Sequence, residues 1–78
     1  MNEAEITVTA RNAGVVAAKR YWPRGDVLVA AFIADAELYC HSAETVLLGD
    51  SPGPTTLNLF RATFIDAFVT TVVHQIRM

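Results

Sequence analysis

The sequence predicts a mainly α-helical single domain over residues 1–78, with an antiparallel helical hairpin of about residues 26–49 and 55–77 as its core. Three observations favour this fold: apolar residues at helical spacing in the last third, a heptad-like apolar seam in the middle third, and Pro and Gly clusters between the thirds. A short strand and a turn or short helix are expected before the hairpin. The alternative is an α+β domain with an N-terminal β-meander over residues 4–34 and a C-terminal helix.

The first third contains an alternating segment in which Ile6, Val8 and Ala10 share one face of an extended chain. A run of β-branched residues favours the strand because these side chains lose rotamer freedom in a helix. Asn2 and Glu5 also form a possible capping box, which would instead begin a helix. The strand is the preferred prediction, and the helix stays open.

The middle third reads as a helix that starts at Asp26, a good N-cap residue, and ends at Gly49, a good C′ residue. The apolar run 27–34 could also form a buried strand, because periodicity does not distinguish the two over so short a run. The continuing seam favours the helix. Its members are Val29, Phe32, Ile33, Ala36, Cys40, Ala43 and Leu47.

The last third has the clearest helical pattern, with Thr55 or Thr56 as its N-cap. More than half of its circumference is apolar, and a single neighbouring helix cannot cover so wide a surface. We therefore expect homo-oligomerisation, in the form of a dimer that completes a four-helix bundle. The predicted interface consists of Phe60, Phe64, Ile65, Phe68, Val69, Val72 and Ile76.

Two polar stripes could in principle carry chemistry. Glu37, His41 and Glu44 share one face of the middle helix, with side-chain types that can bind a divalent metal. The order here, His41-Ser42-Ala43-Glu44, is the reverse of the usual Glu-x-x-His motif, and no second copy exists. We therefore interpret this face as solvated and predict neither a metal nor another cofactor.

On the last helix, Asp66, Thr70 and His74 are stacked like the partners of an acid–base relay. No nucleophile lies in a recognisable elbow or Gly-rich turn, so we assign no catalytic residue and predict a non-enzymatic protein. The single cysteine, Cys40, lies on the apolar seam and is expected to behave as a small buried hydrophobe.

One stretch stands out as a candidate contact surface, because it combines cations with the only Trp of the chain. Arg, Trp and Tyr are the residue types enriched at binding hot spots, and the cations favour an acidic partner. The predicted partner-binding residues are Lys19, Arg20, Tyr21, Trp22 and Arg24. We therefore expect a small interaction or regulatory protein that binds the surface of an unidentified partner protein. The alternatives are a small-ligand-binding or enzyme-associated domain and a weak nucleic-acid binder.

Composition and charge argue against a disordered chain, a general nucleic-acid binder and a membrane-spanning protein. With 53% hydrophobic residues and 18% charged residues the chain is expected to fold, and its net charge of -2 offers no general attraction for nucleic acid or an anionic membrane. We predict a cytoplasmic protein, because the chain has a single cysteine and an acidic N-terminal segment. We predict no membrane span, because Arg61 and Asp66 lie within the most apolar segment. The middle third contains no Lys or Arg, so its salt bridges must reach basic residues elsewhere, Arg61 among them.

Overall fold

The computed structural model describes residues 2–20, 29–49 and 53–77, and throughout these ranges the elements are α-helices. Helix α1 spans Glu3–Arg20, α2 spans Val29–Leu47 and α3 spans Pro54–Arg77. The mainly α-helical fold class is thus confirmed. No strand occurs in the described residues, so the strand predicted for the first third and the α+β alternative are both wrong there.

Local capping explains why the first third is helical despite its β-branched residues. The Asn2 side chain accepts a hydrogen bond from the Glu5 backbone N–H at 2.9 Å, which satisfies one of the free donors of the first turn. The Thr7 hydroxyl donates to the Glu3 carbonyl at 2.9 Å. Acidic residues in the first turn and Lys19 and Arg20 in the last turn complement the helix dipole. These terms outweigh the β-branched residues, whose propensity penalty is only tenths of a kcal/mol each.

The ends of α2 and α3 also follow local rules. Gly49 has a φ of 69°, the left-handed conformation expected of a C′ residue, as predicted for the end of the middle helix. The Leu57 N–H donates to the Gly53 carbonyl at 3.0 Å, so Gly53 is the N-cap residue and α3 begins at Pro54. The predicted N-caps, Thr55 or Thr56, are therefore wrong, because both residues lie inside the helix. Pro is favoured at a first helical position because its missing N–H would have no partner there. Asp26 lies outside the described residues.

Helix α3 packs most extensively on α1, and these two helices run in the same direction. Gly14 lies beside Phe64 and Phe68, and further along both helices the Gln75 side chain donates a hydrogen bond to the Ala18 carbonyl at 3.3 Å. Helix α2 runs antiparallel to α3, as the contact between Glu44, near the end of α2, and Arg61, near the start of α3, shows. A hairpin of the second and third helices alone is therefore not the core.

The core consists of one row of large side chains on α3 facing one row of mostly small residues on α1. Both rows have a spacing of four residues. The α3 row stacks its rings along the helix, with centroids 6.0 Å apart for Phe60 and Phe64 and 6.2 Å apart for Phe64 and Phe68. The two rows are Phe60, Phe64, Phe68 and Val72 on α3, and Ile6, Ala10, Gly14 and Ala18 on α1.

The predicted oligomer interface therefore lies largely inside one chain. Its members Phe60, Phe64, Phe68 and Val72 each have 0% exposed surface, so in this arrangement they offer nothing to a second copy. Ile65 and Val69 are partly exposed, and the side chain of Ile76 lies outside the description. As predicted, one helix does not cover α3, but the additional cover comes from α1 of the same chain and not from a second copy.

By length and composition alone, Pro54–Gln75 of α3 could cross a membrane. Core helices of soluble proteins pass the same test, so the finding is weak by itself. In this structure the α3 row from Phe60 to Val72 packs against α1.

Replacing Gly14 by Ala should destabilise the protein. A Cβ at this position would lie 2.6 Å from the Phe64 carbonyl oxygen and 3.0 Å from the Ala67 Cβ, and a backbone oxygen cannot move away as a flexible side chain can. Overpacking of this kind costs about 1–3 kcal/mol, against about 1 kcal/mol gained in helix propensity. We expect urea unfolding to show a net loss of about 1 kcal/mol. Asn58→Ala is the control, because it introduces Ala at an exposed position inside α3 and should not lower the stability. A Gly14→Ala protein at least as stable as the unmodified one would contradict the close approach.

Candidate functional site

Two features of the described surface are candidates for function: a polar cluster between α2 and α3, and an apolar groove between α1 and α2. The polar cluster is centred on Glu44, which is only 6% exposed and is the buried charged residue of the described chain. Arg61 Nε donates to Glu44 Oε1 at 2.6 Å, and Arg61 Nη2 lies 3.4 Å from Oε2. The expectation that Arg61 could pair with the acidic middle third is confirmed, whereas the solvated position predicted for Glu44 is wrong.

Cys40 completes this cluster from one turn earlier on α2. Its thiol donates to Glu44 Oε1 at 3.4 Å, and the side chain is 2% exposed, as expected for a buried hydrophobe. Burial, followed by the hydrogen bond to Glu44, raises the pKa of the Cys40 thiol to about 12. A thiol of this kind is a poor nucleophile, because the thiolate is the reactive form.

The charge state of Glu44 is set by opposing effects. Burial by itself would raise the pKa of the Glu44 carboxyl, but the hydrogen bonds from Arg61 and then Cys40, with the charge of Arg61, lower it overall. The hydrogen bond to Glu44 raises the pKa of Arg61, so the pair stays ionised at neutral pH. His41 Nδ1 lies 3.8 Å from Glu44 Oε2, but its side chain is 77% exposed. Glu44 is thus already paired, and the cluster reads as an ion pair that holds α2 to α3.

The cluster also borders a depression of about 370 Å³, lined by Glu37, Cys40, His41, Glu44, Arg61 and Ile65. Despite this set of side chains, no group of three or more His, Cys, Asp or Glu residues in the described chain has the geometry to hold a metal ion. On α3, Asp66, Thr70 and His74 all lie on the exposed face, where the sequence placed them.

The second feature is a groove of about 660 Å³ between α1 and α2, with Phe64 of α3 contributing to its lining. The helices leave this groove because both pack on α3 but contact each other little. Sequence reasoning did not identify it, since a groove between two elements depends on how they are placed on a third. The wall from α1 consists of Thr9, Asn12, Ala13, Val16, Ala17 and Arg20, and the wall from α2 of Tyr39, Ser42, Ala43, Val46 and Leu47.

Large apolar side chains in this groove are unusually exposed. Val46 is 80% exposed and Val16 is 49% exposed, while Tyr39 lies with its ring stacked 5.7 Å from Phe68 and is still 41% exposed. Leu38, next to the groove on α2, is 67% exposed. Scattered apolar residues are normal on a surface, whereas here exposed apolar side chains follow both groove walls, with the polar Asn12 and Ser42 between them. Ile33 and Leu47, which the predicted seam placed in the core, are 45% and 41% exposed.

The predicted partner-binding residues are only partly within the described chain. Lys19 and Arg20 are exposed at the end of α1, and Arg20 contributes to the groove wall. Tyr21, Trp22 and Arg24 lie outside the described residues. Their role stays a prediction.

Comparisons with known proteins add no assignment. No family model matches the chain, and neither the curated proteins nor the solved structures contain a match. The functional argument therefore depends on the two surface features alone.

The thiol of Cys40 should react very slowly in the folded protein. A pKa of about 12 instead of the ordinary 9.0 lowers the thiolate fraction at neutral pH about 1,000-fold, before the 2% exposure is considered. We expect labelling by a disulfide reagent to be at least that much slower in buffer than in denaturant. Comparable rates in the two conditions, measured at one pH, would contradict the buried position.

The Glu44 ion pair should make stability dependent on acid pH. Because the pKa of Glu44 is lower in the folded chain than its ordinary value of 4.5, its contribution is present above about pH 4.5 and is lost as the pH falls through the folded pKa. Urea unfolding should show Glu44→Gln to be less stable than the unmodified protein at pH 7, with the difference shrinking at about pH 3. Glu37→Gln is the matched control on the exposed face of α2 and should show little difference at either pH. A Glu44→Gln deficit of equal size at both pH values would show that the charge does not stabilise the fold.

Proposed function

We propose that this chain is a small non-enzymatic interaction protein that associates with another protein surface through the α1–α2 groove. The observation that supports this proposal most is the exposure of the groove walls, where Val46 is 80% and Val16 is 49% exposed. Burying such side chains contributes about 25 cal/mol per Å² of apolar area, which favours a partner that fills the groove.

The shape of the groove supports a protein partner over a small ligand. Ligand sites usually enclose most of their ligand, with a few polar groups placed to orient it. Here the apolar walls follow the helices from Thr9 to Arg20 and from Tyr39 to Leu47, a strip about 12–16 Å long at about 1.5 Å per residue. Two to three turns of helix from a partner, lying in the groove or against its walls, would cover such a strip.

The charged residues at one end of the groove favour one orientation of a bound partner. Lys19 and Arg20 lie at the α1 end, whereas α2 contains Asp35, Glu37 and Glu44 and no Lys or Arg. Charges at a rim act mainly on orientation and association rate. A partner with an acidic group at the level of Arg20 would be oriented by this asymmetry, in line with the acidic partner expected from the sequence. A weak nucleic-acid binder is less favoured, because the acidic α2 forms one wall.

Site-specific photocrosslinking would test this function. A benzophenone amino acid at position 46, in the groove wall, should give discrete protein adducts in the native host cells, and the same probe at exposed position 58 on α3 should not. Val16→Lys in the probe-bearing chain should remove the adducts, because a charge in the groove disfavours an apolar occupant. Circular dichroism should show unchanged helix content for Val16→Lys. Identical adduct patterns at positions 46 and 58, or adducts that persist with Val16→Lys, would reject the groove as the contact surface.

A further inference from the structure

We infer that the occupant of the α1–α2 groove is a second copy of this chain, docked about a two-fold axis parallel to the helices, so that α1 of each copy lies on α2 of the other. This inference rests on the proposed function, because it names the partner of the same groove. It differs from the dimer predicted from the sequence, which used the face of α3 that α1 covers.

The first argument is the register of the two helices. Gly14 of α1 and Tyr39 of α2 both lie beside Phe68, and α1 and α2 run in opposite directions across α3. Moving along α1 in one direction therefore corresponds to moving along α2 in the other. This register places Val16 near the level of Leu38, and Asn12 near the level of Ser42.

The exposed residue types at each level match between α1 and α2, where Val16, Asn12, Ser42 and Val46 line the groove and Leu38 and Val8 lie outside its lining. Val16 and Leu38 are both apolar and exposed, at 49% and 67%. One turn away, Asn12 and Ser42 are both polar and exposed, and beyond them Val8 and Val46 are apolar again, at 53% and 80% exposure. A two-fold axis parallel to the helices keeps each level at its height, so α1 of one copy meets the matching levels of α2 of the other. Apolar groups then meet apolar groups, and polar groups meet polar groups.

The charges at one end of the groove are also complementary between α1 and α2. Arg20, at the end of α1, lies near the level of the part of α2 that contains Asp35. In the parallel-axis dimer the basic end of each α1 thus faces the acidic helix of the other copy. The alternative axis, perpendicular to the helices, would place α1 on α1 and α2 on α2. It would then bring two helices that each lack Lys and Arg against one another.

Complementary charges placed at one level would test both the occupant and the register. Val16→Lys and Leu38→Glu change exposed residues, so each variant should keep its helix content. Each substitution alters both symmetric contacts of the dimer, and we expect either variant alone to have a dissociation constant about 100-fold higher. In an equimolar mixture, one contact pairs the introduced ammonium with the introduced carboxylate, and the other remains Val16 against Leu38. The mixed dimer should therefore form at least about 10-fold more tightly than either variant alone.

Sedimentation equilibrium over a wide concentration range gives the readout. The unmodified protein should approach twice its mass of 8.5 kDa, and Asn58→Lys, which adds the same charge on exposed α3, should behave identically. A chain that stays at 8.5 kDa throughout would overturn the second copy as occupant. The proposed function would survive that result if the probe at position 46 still crosslinked another protein. A dimer insensitive to both substitutions would overturn the groove interface, and weakened variants that do not rescue each other would overturn the α1-on-α2 register.

Discussion

The close approach of α1 to α3 at Gly14 is the constraint on which the rest of the structure depends. With no side chain at Gly14, the backbone of α1 comes within van der Waals contact of the α3 backbone at Phe64 and Phe68. The small residues Ala10 and Ala18, one turn to either side, are fully buried and extend this contact. Because α3 supplies the large rings and α1 supplies the room for them, neither helix could form this core alone. The arrangement gives a chain of 78 residues a close-packed core with few large side chains.

The placement of α2 follows from a different kind of contact. It adds Ala36 and Cys40 to the core, and its acidic Glu44 is held by Arg61 of α3. A buried ion pair gives little net stability compared with apolar packing, since desolvation offsets most of the attraction. Its main effect is to fix which turn of α2 meets which turn of α3. The same pair draws α2 towards α3, while α1 is held to α3 by its small residues, and a groove remains between α1 and α2.

The sequence predicted the helical class, the C-terminal end of α2, both ends of α3 to within a few residues and the exposure of the Asp66 stripe, because these depend on local periodicity and capping. It failed for the first third, where the β-branched run of residues 6–9 outweighed Asn2 and Glu5 in the argument. In the folded chain the Asn2 cap outweighs the small penalties of the β-branched residues, and the burial of Ile6 and Ala10 against α3, which no local pattern reports, adds to the stability of the helix. The buried position of Glu44 was likewise missed, because it depends on Arg61, which lies 17 residues away.

The groove could not be predicted from the sequence for a related reason. Val16 and Val46 belong to different helices, and each looks like an ordinary apolar residue within its own helix. Only the placement of both helices on α3 shows that Val46 has no neighbour sufficient to bury it. A Gly-to-larger change at position 14 would move α1 away from Phe64 and alter the spacing of the groove walls together with the core. The Gly14 contact therefore links the stability of the core to the position of α1, which forms one wall of the groove.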